Sequence, residues 1–284
     1  MTAPAPRFAD APLHALFALA VGALAWPTLT WWAWEWTRPD SPSAYALAVL
    51  PLALCMFWRR RDLLVCIPAK IASEGLLLTV FALTLLVVSV KRELLAVSSL
   101  ALWLTVIGAV WFSQGRARLK ALAVPLGFLL TLAPLPGPLL SDATLGAQGL
   151  STSLAARLLG LFGLHPVQSG TIIQLDRYAL DVVAPCSGFK LLLTLLVLGA
   201  ALAALTDLPR GKKLALAALT LPLSLLVNAL RIALVGLVGE AGGFSAAGRF
   251  HDASGYLCLV LCLVALASIG KGMGCRTLCG QPLF

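Results

Sequence analysis

The sequence predicts an all-α integral membrane protein with about eight transmembrane helices and both chain ends on the cytoplasmic side. Three observations predict it. Hydrophobic residues make up 60% of the chain and charged residues 12%, with a mean hydropathy of +0.94, a balance that soluble domains do not show. Apolar runs of about 18 residues recur along its length, long enough to cross a bilayer. The basic residues alternate unevenly between successive connecting segments.

The expected spans cover about 13–33, 43–58, 74–90, 94–112, 121–140, 187–206, 214–237 and 254–271. No small-residue cleavage site follows the first, which is therefore expected to be retained. The second is short. Pro125, Pro134, Pro136 and Pro138 make the fifth irregular, which a bilayer tolerates where neighbouring protein satisfies the freed backbone groups. With the N-terminus inside, the inner segments hold Arg7, the Arg59-Arg60-Arg61 run with Lys70, and then Arg116, Arg118 and Lys120. Arg210, Lys212, Lys213, Lys271 and Arg276 complete the inner set. The outer segments hold fewer: Arg38, Lys91, Arg92, Arg157, Arg177 and Arg249. This bias gives the N-in, C-in orientation and accounts for the net charge of +9 without a nucleic-acid partner.

One long outer segment, 141–185, interrupts the alternation within a single polytopic domain of residues 1–284. Leu145, Leu150, Leu154, Leu158, Leu159 and Phe162 recur at helical spacing and predict an amphipathic helix on the membrane face or against the spans. Val167–Val183 is rich in β-branched residues around Asp176-Arg177 and predicts a short β-hairpin leading into the sixth span. The cysteines have no disulfide-framework spacing.

Cys186 stands out among the seven cysteines. It lies in Ala184-Pro185-Cys186-Ser187-Gly188-Phe189-Lys190, where a polar segment meets an apolar run. Pro185 favours a helix start there, and helix N-termini lower the pKa of a nearby thiol. Two other polar groups reach the same boundary. Arg231 lies in the seventh span, roughly 9 Å below its outer end at 1.5 Å per residue, with Asn228 one turn earlier on the same face. An ionisable group inside a span is a functional candidate, and the neighbouring Asn228 implies a polar partner rather than a snorkelling side chain. His251 precedes the eighth span, in a segment read as a loop. A thiol nucleophile, an imidazole that takes its proton and returns it to a leaving amine, and a guanidinium facing the oxyanion form a coherent amide-cleaving set. Lys190, one turn below Cys186, either supports the charge of the site or snorkels outward. No metal or cofactor is expected.

Three segments together resemble the exosortase/archaeosortase family of membrane cysteine transpeptidases: Cys186-Ser187-Gly188, Asn228-Ala229-Leu230-Arg231-Ile232, and the His251 segment before the last span. Leu132-Ala133-Pro134-Leu135-Pro136 and the helix-plus-strand lead into the cysteine are also similar, so the resemblance covers roughly 120–270. It implies Cys186 as nucleophile, His251 as base and acid, Arg231 as transition-state stabiliser and Asn228 in support. It further implies substrates that are exported proteins with a C-terminal motif, commonly Pro-Glu-Pro, then a span and a basic tail. The acyl group would pass to an acceptor nucleophile whose identity is open, at the extracytoplasmic face of a bacterial inner membrane and often in connection with exopolysaccharide. Pro185 and Lys190 depart from the family pattern, in which a small or acidic residue and an arginine are common.

Two other readings compete. A transporter or scaffold of polysaccharide export would use Asn228 and Arg231 to line a polar path and leave Cys186 incidental. A thiol-redox or metal role would use Cys258/Cys262 or Cys275/Cys279, each pair one helical turn apart; neither has a Cys-x-x-Cys motif or nearby His and acidic ligands.

Overall fold

The computed structural model describes residues 11–38, 41–182, 189–278 and 281–282. It resolves into two compact units, one of residues 1–38 and 46–135, the other of residues 39–45 and 136–284.

The first unit is helical. Helices α1 (Ala11–Leu24) and α2 (Trp26–Thr37) meet at a bend of 70°, so the first expected span is broken rather than straight. Pro27 sits in the first turn of α2, where its ring and missing N–H suit a helix start and not a helix interior. Helix α3 (Ala46–Cys66) runs well past the expected end at residue 58 and keeps Arg59, Arg60 and Arg61 helical. Helices α4 (Ser73–Lys91) and α5 (Leu95–Ala121) form a close pair. A Cβ at Gly75 would strike the backbone of Phe112, and one at Gly108 would lie 2.6 Å from Thr79 Oγ1, so glycine is what lets these helices touch. Gly115, at φ 81°, breaks α5, and the α3–α4 loop runs beside the break, with Ala72 donating to the Phe112 carbonyl at 3.1 Å.

Polar contacts bind the remaining helices of this unit. Thr28 Oγ1 donates to Ser98 Oγ and Trp32 Nε1 to Ser99 Oγ, both at 2.8 Å, joining α2 to α5. Helix α6 (Ala123–Leu130) is held by Trp103 Nε1, which donates to the Leu126 carbonyl at 2.7 Å. The fifth expected span, 121–140, is thus not one helix. Helix α6 supplies eight residues, and the chain then turns through 131–136, where Pro134 and Pro136 cannot donate to a continuing ladder, before the next helix starts at Gly137.

The second unit contains α7 (Gly137–Leu161), strands β1 (Val167–Ser169), β2 (Ile172–Gln174) and β3 (Ala179–Asp181), helices α8 (Phe189–Leu205) and α9 (Arg210–Gly272), and strands β4 (Thr277–Leu278) and β5 (Gln281–Pro282). The expected amphipathic helix is present within α7, but its buried face is small and polar. Ala147, Gln148, Ser151, Thr152, Ala155 and Leu159 face the protein, while Leu145 and Leu150 are exposed. Of the expected stripe, Leu159 is fully buried whereas Leu145, Leu150 and Phe162 are exposed.

The expected hairpin is a three-stranded antiparallel meander in the order β1-β2-β3. The extra turn is at Gly170-Thr171, where Gly170 takes φ 60°, a conformation that a two-residue hairpin loop requires. The sheet packs through Ile173, Leu175, Leu180 and Val182 onto Leu159 of α7 and Ile232, Val235 and Ala247 of α9.

Helix α9 joins both last expected spans into one helical run of 63 residues, broken once at Gly243 with φ 74°. Apart from Gly243, residues 238–253 are therefore helical, and His251 sits on a helix rather than in the expected loop. Among the described residues three helices, α4, α5 and α9, are long and apolar enough to cross a membrane, or four if α1 and α2 form one bent span. By length and apolarity, three or four of the described helices are candidate spans, against the eight expected. The arginines of α3, the prolines after α6, the 17-residue length of α8 and the fusion of two runs in α9 account for the difference.

Candidate active site

The site is assembled on α9, whose two limbs meet at Gly243. Asn228 and Arg231 lie on the first limb three residues apart, so they share a face. That face is turned into the protein: Arg231 is 8% exposed and Asn228 1%. A buried guanidinium is tolerated only with polar partners, and the second limb provides them. Arg231 Nε donates to Ser254 Oγ at 3.1 Å, and Nη2 donates to the His251 carbonyl at 3.0 Å. Ser254 Oγ in turn donates to the same carbonyl at 3.0 Å. An arginine has five N–H donors, and three of those on Arg231 have no partner among the described residues.

The ring of His251 is partly exposed. Its Nδ1 lies 3.1 Å from Asp252 Oδ1. In the tautomer that directs an Nδ1 proton at that carboxylate, Nε2 carries the lone pair.

Asn228 Nδ2 donates to Ser151 Oγ of α7 at 3.1 Å, while its buried Oδ1 has no hydrogen-bond partner among the described residues. One turn before Ser151, Gln148 Nε2 donates to the Val182 carbonyl at 2.8 Å. Helix α7 therefore ties together the arginine-bearing limb and the residue that follows β3. At the far end of the sheet, the Glu240 carboxylate accepts the Arg177 N–H at 3.0 and 3.1 Å. Beside it, Gly239 makes room for the Tyr178 ring. A small pocket is lined by Leu180, Val182, Arg231, Ile232, Val235 and His251.

Of the residues expected from sequence, the structure brings Arg231, His251 and Asn228 to one region. Cys186, Ser187 and Gly188 lie outside the described residues, as does Cys279. Val182, four residues before Cys186, lines the pocket. Lys190 is the second residue of α8, and its carbonyl accepts from Thr194 Oγ1 at 2.7 Å. Cys258 and Cys262 are buried one turn apart on the second limb of α9. Among the described residues no three His, Cys, Asp or Glu side chains gather as metal ligands would.

The sequence reading passed over Gln148, Ser151, Ser254 and Asp252. A signal for the first two was present: Gln148, Ser151 and Thr152 recur at helical spacing inside an otherwise leucine-rich helix. Ser254 is three residues beyond His251, the spacing that lets one arginine reach both.

A family model described as transmembrane exosortase matches residues 31–268, a stretch that includes Cys186, Arg231 and His251. Comparison with curated proteins and comparison with solved structures each give no match.

Proposed function

The chain belongs to the transmembrane exosortase family, and on that premise we propose that it is a membrane cysteine transpeptidase acting through Cys186, His251 and Arg231. Its substrates are exported proteins whose C-terminus carries a short motif such as Pro-Glu-Pro, an apolar span and a basic tail. The observation that carries this reading is the link from Arg231 Nη2 to the His251 carbonyl, in a pocket that Val182 also lines.

His251 Nε2 takes the thiol proton, and the sulfur adds to the scissile carbonyl, forming a C–S bond and an oxyanion. The spare N–H groups of Arg231 face that negative charge, where preorganised donors are worth most. The intermediate collapses with loss of the C–N bond, and His251 returns the proton to the leaving amine. An acceptor nucleophile then attacks the thioester and regenerates the thiol. Asp252 at Nδ1 keeps the ring in the tautomer this sequence needs. Asn228, Ser187, Gly188 and Lys190 have supporting roles. The reading includes a bacterial inner membrane location with Cys186 on the extracytoplasmic face, the side to which the sequence assigns the fewer Lys and Arg residues.

The test is co-expression with a reporter bearing the motif, span and basic tail, followed by mass spectrometry of its mature C-terminus. The wild type should yield a truncated or transferred C-terminus, and Cys186→Ala only the intact reporter. Undiminished processing in Cys186→Ala would overturn the reading and favour a transporter or scaffold.

A further inference from the structure

The sheet has two edges, and they differ. In antiparallel pairing, alternate residues exchange main-chain hydrogen bonds with the neighbouring strand and the others point away. Leu175 N donates to the Tyr178 carbonyl at 2.9 Å and Val182 N to the Thr171 carbonyl at 3.0 Å, with Leu180 opposite Ile173 between them. Tyr178, Leu180 and Val182 therefore direct their main-chain groups at β2. Ala179 and Asp181 direct theirs to the open side of β3. No partner meets them there among the described residues, and both residues are exposed. The Asp181 carboxylate accepts from Thr171 Oγ1 at 3.3 Å and so stays within the sheet's own surface.

The other edge is blunted. Pro166, which has no N–H to offer, immediately precedes β1. Only Gln168 directs its main chain outward there, and its side chain folds back onto the Gly170 carbonyl at 3.0 Å. Open strand edges are templates for another extended chain, and proteins commonly protect them. In this sheet the protected edge is the one remote from the pocket. The unprotected one belongs to the strand whose buried side chain Leu180, with Val182 just beyond, lines the pocket of Arg231 and His251. Its last residue, Asp181, is five positions before Cys186, a reach of at most about 17 Å.

We propose that the open edge of β3 binds the extended cleavage segment of the substrate by strand addition, with the main-chain groups of Ala179 and Asp181 pairing to alternate substrate residues. This deepens the transpeptidase reading and rests on it. Main-chain pairing fixes the depth and direction in which the segment enters, so the scissile carbonyl arrives beside the Arg231 donors. It also sets a rule for substrates. Residues whose N–H faces β3 must keep it, whereas those between them face away and tolerate its loss.

The test uses the wild-type enzyme and synthetic peptides carrying a Pro-Glu-Pro motif with its flanking residues. At each non-proline position in turn the backbone amide is replaced by an ester, which removes one N–H and leaves the side chain. Cleavage should fall by roughly tenfold per lost hydrogen bond at positions of one parity and stay near normal at the other. Ala179→Pro, which removes an outward N–H from β3 without touching its bonds to β2, should raise KM with little change in kcat. A profile without alternation, or an unchanged KM in Ala179→Pro, would overturn the proposal. If Cys186→Ala still processed the peptides, the transpeptidase reading itself would fall. Cys186-dependent cleavage with a flat ester profile removes the strand-addition proposal alone.

Discussion

Arg231 donates from Nη2 to the main-chain oxygen of His251 at 3.0 Å, across the break at Gly243 that separates the two limbs of α9. One side chain thus sets the spacing between the limb that carries the guanidinium and the limb that carries the imidazole. Arg231→Lys keeps a positive charge but not the fork that reaches Ser254 and His251 together. Reporter processing should fall by about 10²–10³-fold, the range for loss of an oxyanion donor. Ser254→Ala removes only a relay between the two and should cost about 1 kcal/mol. Processing rates measured side by side should keep that order; near-normal activity in Arg231→Lys would exclude the oxyanion role.

Gln148 acts on the chain just upstream of the nucleophile. Gln148→Leu leaves the Val182 carbonyl without the donor it has at 2.8 Å, a cost of about 1–3 kcal/mol for a buried acceptor. The variant should insert and fold, lose kcat rather than substrate affinity, and show an altered alkylation rate at Cys186. Gln148→Glu should behave alike, since a carboxylate cannot donate. Unchanged kcat in both would separate α7 from catalysis.

Gly239 lies against the Tyr178 ring. A Cβ there would come within 2.5 Å of the ring carbons, so Gly239→Ala must push the β2–β3 turn off α9. Overpacking of this kind costs about 1–3 kcal/mol. Gly248→Ala is the matched control on the same helix. Nothing lies within 4 Å of its Cβ position, and alanine should raise helix stability by up to about 1 kcal/mol. Thermal unfolding in detergent should shift Tm down for the first and up or not at all for the second.

The segment after α9 is held by Asp207. Its carboxylate accepts the N–H groups of Arg276 and Thr277 at 3.1 and 3.2 Å. The Cys275 thiol beside it, with these N–H groups, holds its pKa below the usual carboxylate value, and burial followed by the carboxylate pushes the thiol up. A depressed carboxylate stabilises the fold above its unfolded pKa of about 3.9 and loses that contribution as pH falls through the folded value. Amide exchange at Arg276 and Thr277 should therefore be protected at pH 7 and released only in acid below about 4. Asp207→Asn should remove the pH dependence and quicken maleimide labelling of Cys275 at pH 8. Unaltered exchange and labelling would show that the carboxylate does not hold this turn.

Much of this arrangement was legible in the sequence because burial of charge in an apolar run is rare. Arg231 and Asn228 were conspicuous for that reason, and the structure buries both. The β-branched run before the sixth span announced strands, but Asp176-Arg177 drew attention from Ser169-Gly170, so one hairpin was expected where two turns make a meander. The helical state of His251 was not expected, because 238–253 lay between two expected spans. Gly239, Gly242, Gly243 and Gly248 fall in it, yet of these only Gly243 takes a positive φ. Gly239 instead serves close packing, a use that local sequence does not distinguish from a turn. The polar face of α7 was masked by its leucines, of which Leu145 and Leu150 are exposed while Gln148, Ser151 and Thr152 are buried.

The central claim is that Cys186 carries the acyl group of a cleaved sorting signal. The most direct measurement is intact and peptide mass spectrometry of the enzyme, acid-quenched during reporter turnover. The account predicts an adduct on the Cys186 peptide equal to the reporter's upstream fragment, released by hydroxylamine and absent from Cys186→Ala, which should also leave the reporter uncut. Normal reporter processing by Cys186→Ala, with no adduct on the wild type, would contradict it.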